Sequence, residues 1–538
     1  MKRRDIIKSL SILPFTGTFN SFDPISGANK KTSTASVNNI YQSIGVEPVI
    51  NCRGTFTIIG GSVQRPEVMA AIQAASTSFA QVDEVAMGIG QKLADLTGAE
   101  WGMVSAGCAA GLKHITAACV SGGNPEKLVR IPNLAGFDKT QVIIPKGSRN
   151  VYDHAIRNIG VEIVTVNSME ELEKAINPKT AMIFTVTGAA YEPGGEFSTE
   201  EIAKIAKSKN VPFLVDAAAE DLTIPNVHLQ RGADVVSYSG GKAICGPQSA
   251  GLNLGRKDIL MSAWQASSPH HGPGRDNKVG KEEMIGMLAA VEAWIARDHA
   301  EKERTWMLWV NNMSKRVSAL PGIQTTIREP QGRGNRSARL TISWDASASN
   351  ITGPEVAEEF ASTHRPRIAI SGSHNEQSGL SSLSISTNQM QPGEDKIVAD
   401  SIYKVLSTPR EKTSNILPPP SANIAGQWDV DIEFYSSKSR HTFMLQQNGR
   451  EIDGLHKGDF TTRPIMGTLD GDQIKLSSSE RGEADNVPFS FYGTVKSDLM
   501  TGEIYMGEYI RAKFTATRAV NIGPRREIRI PKGQPLSS

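Results

Sequence analysis

Three short segments of the 538-residue chain carry residue types from which a reactive site could be built. In Val235-Val-Ser-Tyr-Ser-Gly-Gly-Lys-Ala-Ile-Cys-Gly-Pro-Gln248, Lys242 follows an apolar run and two glycines. An amine presented beyond a strand end can condense with a carbonyl, and glycines beside it let the backbone approach a flat ligand. In Phe213-Leu-Val-Asp216-Ala-Ala-Ala-Glu220, an acid closes a buried apolar run, where a carboxylate without a partner is costly. In Trp101-Gly-Met-Val-Ser-Ala-Gly-Cys-Ala-Ala-Gly111, a small-residue turn opens a helix. Its free N–H groups and positive dipole end suit a phosphate, with Ser105, Gly107 and Cys108 nearest and Ser239 adding a hydroxyl.

Asp216 and Lys242 are 26 positions apart (242 − 216), one strand–helix–strand step, so they can reach opposite edges of one aromatic ring. An imine-forming amine, an acid that keeps a pyridine nitrogen protonated, and a phosphate-binding helix start together match the demands of pyridoxal 5'-phosphate (PLP). Lys242 and Asp216 are therefore the expected catalytic pair. The expected cofactor contacts are these two with Ser105, Gly107, Cys108 and Ser239.

The elements that must position them form a mostly parallel α/β sheet. Short apolar strands are expected at Gln141–Pro145, Glu162–Val166, Ala181–Val186, Pro212–Asp216, Val235–Ser239 and Gly251–Leu254, with helix-like stretches such as Ser198–Lys209 between them. Ligands on such sheets gather at the carboxyl ends of the strands, where these residues fall. Glu282–Leu320 reads as one long helical stretch stopped by Pro321-Gly322. Strands near Arg339–Trp344 and Ser382–Ser386 and a helix near Glu394–Leu406 then make a smaller α/β unit. Beyond the stiff Pro418-Pro-Pro420 linker, apolar and polar residues alternate, with turn residues at regular intervals. This region is expected to be an antiparallel all-β barrel or sandwich. Gly467-Thr-Leu-Asp-Gly-Asp472 and Gly493-Thr-Val-Lys-Ser-Asp498 look like one hairpin motif used twice. The resulting plan is an export leader and linker at 1–36, a large domain at 37–300, a small α/β domain at 301–410, a linker at 411–423, the all-β module at 424–518 and a disordered tail at 519–538.

Composition narrows the function classes. A net charge of +2 gives no reason to expect nucleic acid as a partner, and no long uninterrupted apolar run suggests a membrane span. Cys52, Cys108, Cys119 and Cys245 lack metal spacing and read as small buried residues, and no metal is expected at His270-His271. Arg3-Arg4 ahead of the modestly apolar Ser9–Phe15 resembles a twin-arginine leader, implying export of a folded, cofactor-loaded protein to the periplasm.

From about Tyr41 to Leu406 the chain resembles the fold-type I PLP enzymes, in the branch of selenocysteine synthase and D-glucosaminate-6-phosphate ammonia lyase. The residues that carry the likeness include Gly45-Val-Glu-Pro-Val-Ile-Asn51, Leu96-Thr-Gly-Ala-Glu100, Lys146-Gly-Ser-Arg-Asn-Val-Tyr-Asp-His154, the Asp216 and Lys242 segments, and Lys278-Val-Gly-Lys-Glu-Glu283. The resemblance implies a PLP transferase-like large domain, a homodimer or larger assembly with sites at subunit interfaces, and Lys242 as the Schiff-base lysine. It makes Arg149, His154 and Lys281 candidates for substrate contact. Cys245 stands where glycine or a basic residue is expected. The implied reaction is α-proton abstraction from an amino acid or amino sugar acid, then β-elimination to ammonia and a 2-keto acid. Alternatives are selenium transfer on seryl-tRNA, class V aminotransfer, and a non-enzymatic binding protein acting through the β module. Arg333, Arg339 and Arg367 stay open as carboxylate ligands.

Overall fold

The computed structural model describes residues 40–411, 417–479 and 487–519. The proposed leader and nearly all of the expected tail lie outside these residues, as does part of the linker. The described residues up to Pro48 belong to a unit of their own and include a helical turn at Ile40–Ser43.

From Val49 onward, β1 (Val49–Asn51) is followed by seven strands of one sheet: β2 (Trp101–Ser105), β3 (Gln141–Pro145), β4 (Glu162–Val166), β5 (Thr180–Val186), β6 (Phe213–Asp216), β7 (Val235–Ser239) and β8 (Gly251–Gly255). Their order is β2-β8-β7-β6-β5-β3-β4, and only β8 runs antiparallel to its neighbours. The strands are continuous apolar runs because helices cover both faces, and nearly every residue of β2, β6, β7 and β8 is buried. Ser105, Asp216 and Ser239 are each the last residue of a strand, so the sheet brings the three to one edge.

A second core contains β9 (Gln324–Arg328), β10 (Arg339–Asp345), β11 (Arg367–Ala369), β12 (Ser371–His374) and β13 (Leu380–Ser386), with the helix Glu394–Ser407. β1 belongs here, paired in parallel with β11, and it delivers Cys52 to this core. One expectation is corrected: the stretch 282–320 is two helices, Lys281–Ala296 and His299–Val317. The buried apolar positions of the first helix end at Trp294 in one core and those of the second begin at Trp306 in another; between them Asp298 leaves helical geometry to accept a hydrogen bond from the Glu301 N–H and caps the second helix.

The all-β region is a closed barrel of eight antiparallel strands in chain order: β14 (Gly426–Glu433), β15 (Lys438–Asn448), β16 (Glu451–Lys457), β17 (Thr462–Asp470), β18 (Gln473–Ser478), β19 (Phe489–Lys496), β20 (Leu499–Met506) and β21 (Tyr509–Arg518). Strict alternation, as in β18, sends Ile474 and Leu476 into the third core and Lys475 to solvent. The repeated hairpin motif spans the β17–β18 and β19–β20 turns.

Candidate active site

The helix Cys108–Ser121 opens directly after β2, and its N-cap, Gly107, has φ +82° and ψ 165°. Any side chain would be strained in that conformation, which swings the chain so that the first helical turn faces the strand ends. No side chain caps this end, so the N–H groups of the first turn are left for an anion. Ser105 is committed elsewhere: its hydroxyl donates to the Gly107 carbonyl at 2.8 Å and accepts from Asn253 Nδ2 at 3.0 Å. It therefore shapes the turn while the backbone offers the charge-seeking groups. Gly251 on β8 completes a cradle, because a Cβ there would lie 2.4 Å from the Gly107 carbonyl carbon and 2.7 Å from the Cys108 nitrogen.

Asp216 is buried at the end of β6. Its Oδ1 accepts the Ala218 N–H at 2.9 Å and the Cys108 S–H at 3.5 Å, tying the acid to the opening of that helix. No described residue bonds Oδ2. Burial pushes the carboxyl above its ordinary range, while the Ala218 hydrogen bond, the charge of Lys242 and the Cys108 contact oppose the rise. The same burial, with Asp216 next to it, pushes the Cys108 thiol well up, so Cys108 is a neutral donor.

Lys242 follows β7 in a turn of closely approaching backbone. A Cβ on Gly241 would lie 2.7 Å from the Gln248 Cα, and one on Gly240 equally close to the Ala250 carbonyl oxygen. The Lys242 amine forms no ion pair or hydrogen bond with a described residue. It lines a cavity of about 340 Å³ together with Arg53, Tyr152, Asn335, Arg339 and Asn388. Asp216 does not line this cavity, yet it lies close enough to feel the Lys242 charge without pairing with it. Cys245, three residues on, has φ +59°, in the left-handed region that favours glycine, one of the two kinds of residue expected at that position.

The other expected contacts fare differently. Ser239 sits half-buried at the end of β7, its N–H on the Ala218 carbonyl at 3.3 Å. Arg149 is held by Asp153 at 2.6 Å and Thr165 at 2.7 Å, His154 is exposed at the start of a short helix, and the Lys281 amine binds the Ala75 carbonyl at 2.7 Å and Glu282. The structure brings none of these three to the cavity. Of the three open arginines, Arg333 pairs with Glu220 and Glu192 and Arg367 bonds the Ala361 carbonyl. Arg339 alone of them lines the cavity, with no salt bridge to a described residue.

Arg53, Asn335 and Asn388 are positions that sequence patterns did not single out. Asn51 folds the chain back by accepting from the Arg53 and Gly54 N–H groups, which sets Arg53 at the cavity wall with its guanidinium 4.8 Å from the Phe56 ring centre. Asn335 arrives because Arg333–Asn335 lies along the Asp216 loop: its N–H bonds the Ala219 carbonyl, and the Arg333 carbonyl accepts from Asp221. The Asn51 turn was the one local signal available, since asparagine followed by glycine three residues on often marks a turn.

This chemistry fits PLP on three observations. A glycine-lined helix start is open to phosphate, a buried carboxylate keeps one oxygen free for a ring nitrogen, and an unpaired amine borders a cavity. Among the described residues no cluster of side chains could hold a metal ion.

Residues 152–276 match the aminotransferase class-V family. The D-glucosaminate-6-phosphate ammonia lyase of Salmonella typhimurium is 31% identical over 60% of this chain and 86% of its own length. The 5'-C-glycyluridine monooxygenase-decarboxylase of a Streptomyces species is 27% identical over 62% and 84%. The L-seryl-tRNA(Sec) selenium transferase of Moorella thermoacetica is 26% identical over 50% and 60%. A solved structure of D-glucosaminate-6-phosphate ammonia-lyase aligns with 69% of this chain and 98% of its own, at 27% identity and a TM-score of 0.61.

Proposed function

Because the chain belongs to the fold-type I PLP-dependent enzymes, in the family of D-glucosaminate-6-phosphate ammonia lyase, we propose that it is a PLP-dependent lyase. On this reading it releases ammonia from a β-hydroxylated amino acid or amino sugar acid. The observation that carries the reading is Lys242, an unpaired amine that lines a cavity together with Arg53 and Arg339 and lies within reach of the charge of the buried Asp216.

Lys242 would hold the cofactor covalently, Asp216 Oδ2 would hold the proton on its ring nitrogen, and the N–H groups of the Cys108 turn would hold its phosphate. Bound there, PLP supplies an aldehyde that condenses with amines and a protonated ring that withdraws electrons. Arg339 and Arg53 face the same cavity and suit a substrate carboxylate. With the carboxylate fixed and the incoming substrate amine having released Lys242, the freed Lys242 amine would take the substrate's Cα proton and return one to the departing β-hydroxyl. Loss of water followed by addition of water leaves a 2-keto acid and ammonia, so no outside oxidant is needed. Asn335 and Asn388 add neutral donors and acceptors suited to substrate hydroxyls.

Phe56 and Tyr152 line the cavity yet are half exposed, which favours a homodimer whose partner covers the mouth. The paired Arg3-Arg4 favours export of the loaded enzyme, which cell fractionation would check. The function itself is tested by screening amino sugar acids and hydroxyamino acids for ammonia release. Release that disappears in Lys242→Ala supports the reading. Turnover of none of them, with amino transfer to a keto acid instead, would move the chain to the transferases.

A further inference from the structure

The barrel has two unlike ends. At one, β15–β16, β17–β18 and β19–β20 are joined by two-residue turns, and the interior is filled by residues such as Trp428 and Leu469. At the other, the interior opens into a cavity of about 560 Å³, a size that takes a small organic molecule. Because β14 pairs with β21, the barrel has no free edge at which another chain could add a strand. The mouth is the feature left for recognition.

The floor of this cavity is made of rings. His441, His456 and Phe489 interlock with Phe443 and Phe491, and His456 meets Phe489 edge-on at 5.3 Å between ring centres. The polar atoms of the floor are already used. Hydrogen bonds from Ser439 and His441 hold the Asp459 carboxyl below its usual range, so Asp459 is the acceptor at one end of a chain of bonds. His441 then donates from Nε2 to Asp459 at 3.5 Å and accepts at Nδ1 from His456 Nε2–H at 2.8 Å. His456 Nδ1 accepts from the Ser478 hydroxyl at 3.0 Å. Burial pushes His456 down to about 3, which keeps the ring neutral as this chain requires. A ligand therefore meets ring faces, with Met506 and Ile510 beside them.

Among the described residues that line the cavity, one charged donor remains. Arg463 gives Nε to Thr461 at 2.9 Å and Nη1 to the Val487 carbonyl at 2.8 Å, and its Nη2 has no acceptor among the described residues. Around the rim, Tyr435 and Phe460 stand more than nine-tenths exposed, an unusual place for two aromatic rings unless something covers them. We infer that the barrel mouth is a binding site for a small amphipathic anion, with a flat apolar body on the His441–Phe489 floor and an acidic group at Arg463. The site lies outside the PLP reading and does not depend on it.

The test uses the full chain saturated with PLP, titrated with the anionic dye 8-anilinonaphthalene-1-sulfonate and, separately, with uncharged N-phenyl-1-naphthylamine. Both dyes are expected to bind saturably at one site per chain. Ile510→Asp and Phe460→Asp change rim residues that are exposed, so folding, checked by an unchanged melting temperature, is expected to persist. Each should weaken both dyes by about tenfold, since a charge must lose water against the ligand's apolar body. Arg463→Gln should weaken the sulfonate dye by about tenfold and leave the uncharged one within twofold. Unsaturable binding, or wild-type affinity in both rim variants, overturns the site. An equal effect of Arg463→Gln on both dyes, or no effect on either, overturns the anionic part of the assignment.

Discussion

The phosphate cradle permits a sharp forecast for Gly251→Ala. A Cβ at residue 251 would stand 2.4 Å from the Gly107 carbonyl carbon, 2.5 Å from its oxygen and 2.7 Å from the Cys108 nitrogen. All three are backbone atoms, so no side chain can swing aside. Ordinary contact begins near 3.4 Å, and the turn must retreat by about 1 Å (3.4 − 2.4). Overpacking of this kind costs roughly 1–3 kcal/mol. It also displaces the N–H groups proposed to hold phosphate, and misplacement by about 1 Å costs on the order of 10²-fold where geometry is demanding. Affinity for PLP, measured by absorbance titration of the cofactor-free protein, should fall by about 10- to 100-fold, equivalent to about 1.4–2.7 kcal/mol. The control is Gly88→Ala on an exposed helix face, where nothing lies within 4 Å; it should leave affinity unchanged and raise stability by up to about 1 kcal/mol. Wild-type PLP affinity in Gly251→Ala, with the fold intact, would refute the placement of the phosphate.

Asp216→Asn keeps the shape of the acid but cannot hold a proton on a ring nitrogen by its charge. PLP should still bind, while ammonia release falls by at least about 10²-fold in steady-state kinetics. Arg339→Gln should raise KM for the amino acid by about 10- to 100-fold, the loss expected for a charge-assisted hydrogen bond, with kcat less affected. Asp221 is mostly buried, and burial pushes its carboxyl up to about 6. The folded form then holds a proton that the unfolded chain releases above about 4, so stability should fall as pH rises from about 4 to 6. Asp221→Asn should remove of order 1 kcal/mol of that decline, read from denaturant midpoints at the two pH values.

The strands of the large sheet were legible because both of their faces are buried, which forces continuous apolar runs ending in Asp216 and Ser239. The barrel was legible for the opposite reason: one wet face per strand imposes alternation. The break at Arg297-Asp298 was hidden because no glycine or proline marks it and the capping aspartate resembles any surface acid. In the site, Lys242, Asp216 and the Cys108 turn carried local signatures of strand end and helix start. Arg53 had only the Asn51 turn beside it, and Asn335 and Asn388 carried no local signature, since they reach the cavity through tertiary placement. The sequence neighbourhood of Arg149 does not reveal that Asp153, buried one helical turn away, binds its guanidinium.

The central claim is that one lysine carries the cofactor. Reduction of the PLP-loaded protein with borohydride, followed by peptide mass mapping, tests it most directly. The account predicts a reduced pyridoxyl-phosphate adduct on the peptide containing Lys242, and none on that peptide in Lys242→Ala. An adduct on another lysine at full occupancy, or no adduct on any peptide, would contradict it.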